Sequence, residues 1–417
     1  MTDNRYFQYR QDTLYVENVP LADIAERFGT PCYVYSRGAL ADGYRQFEAA
    51  LAGCPHLICY AVKANSNLAI LNLFARMGAG FDIVSGGELQ RVLAAGGDAG
   101  RVVFSGVGKT VAELRQALEA GILCFNVESE AELVRLNEVA AAAGKVAPVS
   151  LRVNPDVDPK THPYISTGLK QSKFGVAYGE ALALYRKAAA MPHLRIAGLD
   201  CHIGSQLTEA APFVAAAEKV LALADALARD GIALEHLDLG GGLGIRYRDE
   251  TPPSIATYAT ALKGVMSGRR EKLLVEPGRA LVGNAGVLLS RVEYLKAGAE
   301  KHFAIVDAAM NDLMRPALYD AYHAILEVQR RGVPARRYEV VGPVCESGDF
   351  LGHERELSIA QGDLVALMSA GAYGMSMSSN YNTRPRAAEV LVDGTSVRVI
   401  RDREVIAQLF AGEHLPA

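Results

Sequence analysis

The chain has 417 residues, 50% of them hydrophobic, with 43 Lys and Arg against 47 Asp and Glu for a net charge of −4. This is a soluble globular composition with room for a large domain and a second one, and it lacks the polybasic run of a nucleic-acid binder. Apolar stretches fall short of the ~18 residues of a membrane helix, and "MTDNRYFQYRQDTLYVEN" at the start has no apolar core of signal length.

Residues 1–35 hold two strand-like runs, "TLYVENV" and "PCYVYS". From there short apolar runs alternate with helical patterns. The strands are predicted at 57–62, 81–84, 101–104, 122–127, 149–153, 196–201, 235–239 and 272–275. Segments such as "NLAILNLFARMG", "GGELQRVLAAGG" and "TVAELRQALEAG" show helix periodicity between them. Unbroken β/α alternation implies a parallel sheet, and eight units fit a (β/α)8 barrel of typical size ~250 residues. A doubly wound sheet is the alternative that periodicity leaves open. After residue 280 the runs become β-rich, as in "AGVLLSRVEYLKAG", "RYEVVGPVCES" and "AAEVLVDGTSVRVIRD". The expected architecture is an α/β barrel over 36–280, plus a mostly antiparallel β domain from 281–417 and the N-terminal segment 1–35.

The residues that follow each strand carry the functional signal. Barrel enzymes place their chemistry at the C-terminal strand ends, although turn residues collect there for purely structural reasons too. Lys63 ends the apolar run "LICYAV". Either its stem snorkels to solvent, or a desolvated mouth favours the neutral amine, which suits Schiff-base chemistry with an aldehyde. "DLGGGLGI" offers backbone N–H groups to a phosphate, or makes a tight packing turn. It does not match G-x-G-x-x-G, because Ile245 stands where glycine is required, and "SGVGKT" fails as a P-loop at Val103. A phosphate cup without a nucleotide motif suggests a small phosphorylated cofactor. In "VEPGRAL", Glu276 and Arg279 read as a turn ion pair, or as a carboxylate facing a protonated heterocycle with a guanidinium for an oxyanion. "CHIGSQ" adds His202 and Ser205, and a lone histidine is more often packed than catalytic. No H-x-x-x-H pattern or Cys/His cluster indicates a metal.

The six cysteines (Cys32, Cys54, Cys59, Cys124, Cys201, Cys345) include no C-x-x-C pair, so the cytoplasm is the expected compartment. Five read as small core residues. Cys345, beside Glu346 in "GPVCESGDF", has an exposed-loop context, and "GAYGMSMSSNYN" is a small-residue loop around Tyr373.

A candidate Schiff-base lysine, phosphate cup, ring-facing carboxylate and stacking histidine together describe a pyridoxal-phosphate site. The chain resembles the barrel-type (fold type III, alanine racemase-like) pyridoxal-phosphate decarboxylases, in the branch acting on diaminopimelate. The resemblance covers nearly the whole chain and rests on "YAVKAN", "FDIVSGGEL", "NPDVDPKTHPYISTGLKQSKFG", "HIGSQ", "LGGGLGI", "EPGR", "MRPALY", "GPVCESGD" and "GAYGMSMSSNYN". It implies that Lys63 carries the cofactor covalently, with Asp82 supporting that side of the site. His202 stacks on the ring, and Glu276 pairs with the ring nitrogen. Gly241, Gly242, Ser205, Gly278, Arg279 and Tyr373 surround the phosphate. It further implies a homodimer in which the "CESGD" loop completes the partner's site, with Cys345 as proton donor.

For the substrate, Arg315 and Tyr319 in "MRPALY" join Arg279 and Tyr373 as candidates for a distal carboxylate, and Glu346 for the accompanying amine, or else Arg315 and Tyr319 anchor a loop. A substrate with an amino-carboxylate at both ends, meso-2,6-diaminopimelate, fits this set, giving L-lysine and CO2. A decarboxylase of ornithine, arginine or a carboxylated polyamine is the nearest rival, and Arg315 argues against the first two. A racemase of this fold is expected to put arginine where Glu276 stands. A non-catalytic carrier would have no use for the "CESGD" domain.

Overall fold

Eight short parallel strands close on themselves in one of the two units into which the chain divides. The structure is a computed structural model that describes residues 4–157 and 173–416, so 158–172 of the motif starting at Asn154 lie outside the described residues. The first unit comprises Gly43–Ile245 and Glu250–Ala280. Its barrel strands are His56–Ala61, Gly80–Ile83, Val102–Phe104, Cys124–Val127, Ala147–Asn154, Leu194–Asp200, His236–Asp238 and Lys272–Val275. Each pairs in parallel with the next, and the eighth returns to the first through Leu273↔His56, Leu274↔Leu57 and Val275↔Ile58. That closure excludes the doubly wound sheet and leaves no exposed edge. Leu57, Cys59, Val103, Cys124, Ala197 and Leu274 pack together as a buried cluster, so the barrel is filled rather than hollow.

Several polar strand ends turn out to be helix starts. The Ser85 and Ser129 hydroxyls accept from the Glu88 and Glu132 N–H groups, and Thr110 with Glu113 forms a capping box. Each satisfies donors that a helix N-terminus leaves unpaired. For these ends the turn-residue account is sufficient.

The second unit comprises Met1–Asp42, Arg246–Asp249 and Leu281–Ala417. Its main sheet runs Phe350–Leu357, Arg336–Val341, His302–Val306, Gly286–Ala297, Cys32–Ser36, Ala388–Asp393, Ser396–Arg401. Most pairings are antiparallel, but His302–Val306 with Arg336–Val341 and Ala388–Asp393 with Cys32–Ser36 are parallel. The "PCYVYS" run therefore becomes an interior strand, buried at every residue. The "TLYVENV" run instead enters a small separate sheet, whose Leu14 and Val16 share a core with Val34, Val287, Leu289 and Val390. No helix among the described residues is long and apolar enough to cross a membrane.

Candidate active site

Lys63, His202, Glu276 and Arg279 all follow the C-terminal ends of barrel strands. The first strand stops at Ala61, and Val62–Ala64 form a single tight turn that carries Lys63 off the barrel wall. Its Nζ pairs with Asp82 Oδ2 from the second strand. The amine expected in an apolar mouth is therefore held by a carboxylate, and its side chain keeps 39% exposure while Asp82 has none. After the sixth strand, His202 Nδ1 accepts from the Gly241 N–H at 3.2 Å. Arg279 Nη2 donates to Ser205 Oγ at 3.0 Å.

The glycine turn is built by close approach. A Cβ on Gly241 would lie 2.2 Å from the Glu276 carbonyl oxygen, and one on Gly242, at φ +112°, 2.3 Å from that of Gly204. Gly278 packs against Ala61 and Ala64, flanking Lys63, where a Cβ would meet both at 3.1 Å. These glycines hold the first, sixth, seventh and eighth strand ends together. The packing explanation for them is real, and it is also what brings backbone donors next to His202.

Beneath this turn lies a cluster of which the sequence reading singled out only Glu276. Asp200, Asp238 and Glu276, ending or following the sixth, seventh and eighth strands, are all buried, with carboxylate oxygens within 4.8 Å of one another. Asp200 Oδ1, Asp238 Oδ2 and Glu276 Oε1 have no hydrogen-bond partner among the described residues. Burial, then the neighbouring Asp238, Asp82 and Asp200, pushes the Glu276 carboxyl well above its ordinary range, against the pull of Lys63. Burial chiefly pushes Asp238 up to about 7, opposed by its Gly240 hydrogen bond. Burial, Arg152 and Lys63 hold His202 well below its ordinary value. The ring is therefore neutral, and because Nδ1 accepts, its proton sits on Nε2. The available signal was a single acid inside an otherwise apolar strand, as in "IAGLDC" and "HLDLGGG".

A pH-dependent stability follows. Asp238 holds its proton to about pH 7 in the fold, but only to about pH 4 in the unfolded chain. Its contribution therefore favours the fold in acid and is lost as pH rises through that window. Asp238→Asn keeps an oxygen for the Gly240 N–H. It is expected to raise the melting temperature of the cofactor-free protein at pH 8 but not at pH 5, as thermal unfolding at the two pH values would record.

The remaining predicted residues belong to the second unit. Arg315 is buried and opens the short helix Arg315–Tyr319, so Tyr319 lies one helical turn further on. Cys345 is exposed, and its N–H donates to Asn382 Oδ1 at 2.9 Å. Glu346 beside it is exposed as well. Buried Asp349 ties this loop down, accepting from Met310 N at 2.7 Å and Val344 N at 2.8 Å. Tyr373 is held at φ +57°, a conformation costly for a bulky residue. Gly371 and Gly374 flank it, and their small size is used against the carbonyls of Val282 and Ala370. Of the other cysteines, Cys54 is half-exposed rather than core, and four are buried. Lys109 of the rejected P-loop is buried and donates to Gly106 O, Asn126 O and Glu132 Oε1.

A closed parallel barrel with a paired lysine, a glycine turn and buried carboxylates at its strand ends defines a barrel-type pyridoxal-dependent enzyme. Residues 37–283 match the pyridoxal-binding domain of the pyridoxal-dependent decarboxylases. The diaminopimelate decarboxylase of Pseudomonas aeruginosa is 62% identical over 409 residues, covering 98% of this chain and 99% of the relative. Diaminopimelate decarboxylase from Helicobacter pylori, solved with L-lysine, superposes with a TM-score of 0.91 at 42% identity, covering 94% of this chain and 99% of the other. The M. jannaschii enzyme with L-lysine gives 0.95 at 39% identity, covering 100% and 99%. The chain belongs to the diaminopimelate decarboxylase family.

The residues present fit pyridoxal 5'-phosphate. An amine at a strand end meets the need of an aldehyde, and a buried carboxyl oxygen without a partner that of a ring N–H. A guanidinium beside a serine hydroxyl, with Arg279 Nη2 donating to Ser205 Oγ, suits a phosphate.

Proposed function

We propose that this chain decarboxylates meso-2,6-diaminopimelate to L-lysine and CO2, the last step of lysine biosynthesis, at the D-centre of the substrate. Full-length identity to enzymes of that name carries the reading, and two of the similar structures hold the expected product. Residues 36–280 form the cofactor-binding domain in this reading, with 1–35 and 281–417 as its β-rich companion. The working unit is a cytoplasmic homodimer with shared sites, in keeping with six free cysteines.

Bound pyridoxal phosphate supplies an aldehyde that takes up an amine and a protonated ring that accepts the electron pair left behind by CO2. Lys63 is the residue of attachment, and Asp82 orients its amine. Neutral His202 covers the ring without adding a charge that would compete with the ring proton. Glu276 keeps the ring nitrogen protonated. Asp238 and Asp200 beside it favour that state, since two further carboxylates raise the proton affinity of the whole cluster. Ser205, Gly241, Gly242, Gly278, Arg279 and Tyr373 receive the phosphate. Arg315, with Arg279, Tyr319 and Tyr373, takes the distal carboxylate, Glu346 takes the distal amine, and Cys345 of the neighbouring copy returns a proton to the carbon that lost CO2.

The test is to incubate the purified holoenzyme separately with meso-diaminopimelate, ornithine and arginine, and to measure CO2 and the amine formed. CO2 and lysine from diaminopimelate alone is the expected result. Release from ornithine instead would replace the substrate assignment.

A further inference from the structure

We infer that His323 sets the aim of Arg315 and thereby the selection of a substrate with a distal carboxylate; this rests on the role given to Arg315 above. Arg315 carries a long side chain whose rotamer freedom must be restrained before it can be aimed. Among the described residues, two contacts help to restrain it. Its Nη1 lies 3.2 Å from His323 Nε2, and its guanidinium sits 4.7 Å from the centre of the Tyr247 ring. His323 is fully buried, stands edge-on to the same tyrosine at 5.4 Å, and has Nδ1 2.8 Å from the Met368 carbonyl oxygen. Asp320, in the left-handed conformation at φ +52°, ends the helix and lets the chain return His323 to Arg315.

The protonation of His323 is fixed by its partners. A carbonyl oxygen can only accept, so Nδ1 bears the hydrogen; a guanidinium can only donate, so Nε2 presents its lone pair. A single neutral tautomer satisfies both. The consequence is specific: a neutral acceptor orients the guanidinium without neutralising it. A carboxylate at the same position would orient Arg315 but compete with the substrate for its charge. Tyr247 acts in the same sense, since a ring face holds a cation while leaving the edges of the guanidinium for hydrogen bonding.

Two substitutions separate the ring nitrogens of His323. Asparagine places an amide near the Nδ1 position and keeps the bond to Met368 O but loses the acceptor for Arg315. Glutamine reaches the Nε2 position and restores that acceptor. With holoenzyme, H323N is expected to raise KM for meso-diaminopimelate about 10- to 100-fold, the scale of a lost hydrogen bond to a charged group. H323Q should stay near wild type, with kcat and bound cofactor per chain changing little in both. Equal KM values for the two variants, or a change in melting temperature alone, would overturn the inference. Should H323N fail to fold, Tyr247→Phe and Tyr247→Leu ask the same question from the other contact: KM rises only in the leucine variant if stacking aims Arg315, and equal KM values refute it. Arg315→Met is the control for the underlying assignment. An unchanged KM there removes the distal-carboxylate role of Arg315 itself. A raised KM there with an unaffected H323N removes only the role of His323.

Discussion

Replacing Lys63 with alanine is expected to abolish CO2 release from meso-diaminopimelate, by a factor on the order of 10⁴ or more, the scale on which enzymes lose activity with a covalent group. The structure gives two reasons why no other lysine takes over. The Lys63 amine is delivered by the turn after the first strand and is fixed by Asp82. The buried Lys109, at another strand end, has its amine bound by two carbonyls and Glu132. Arg279 and Ser205 are untouched by the change, so the variant should still take up the cofactor, now noncovalently. Borohydride reduction followed by peptide mapping measures the assignment directly. Label on the peptide containing Lys63 in the native protein, and none in the variant, is the expected pattern. Label on a different lysine would refute it.

What could be read in the sequence depended on which interactions are local. The eighth predicted strand, 272–275, coincides with Lys272–Val275, and the others agree to within one or two residues at most ends. Hydrophobic runs and helical periods are local patterns, so they survive without knowledge of the fold. Closure of the barrel was not legible, because it depends on the pairing of Leu274 with Leu57, more than two hundred residues apart. The turn-residue account offered for strand ends holds for Ser85 and Ser129, whose hydroxyls cap the helices that follow.

The site was legible in its outer layer and silent in its inner one. Lys63, His202, Glu276 and Arg279 stand in short motifs whose residue types announce a chemistry. Asp238 stands in such a motif too, yet its place beside Glu276 is set by the register of the seventh and eighth strands. Likewise, His323 follows Arg315 by eight residues and meets it only because Asp320 reverses the chain. Lys63 is the reverse case, since its motif is local and its partner is not. Apolar neighbours alone do not point to Asp82, which the family resemblance supplied and the adjacent strand places beside the amine.

Cys345→Ala is the second change of large expected effect, lowering turnover by ~10²–10⁴-fold, the usual contribution of a positioned general acid. Because the thiol is exposed and the loop is fastened through Asp349 rather than through the cysteine side chain, melting temperature and cofactor content should stay near wild type. Activity alone would not say whose site the thiol serves. Mixing the Cys345→Ala and Lys63→Ala proteins, after dissociating and reassociating them, does. If each site takes its lysine from one copy and its thiol from the other, half of the reassorted dimers are mixed, and each mixed dimer has one site with both groups. About a quarter of the native activity should then return from two inactive proteins, as the symmetry of a two-fold dimer requires. If Cys345 instead serves the lysine of its own chain, every site in every dimer lacks one group and the mixture stays inactive. Full activity in Cys345→Ala by itself would assign the proton to another donor.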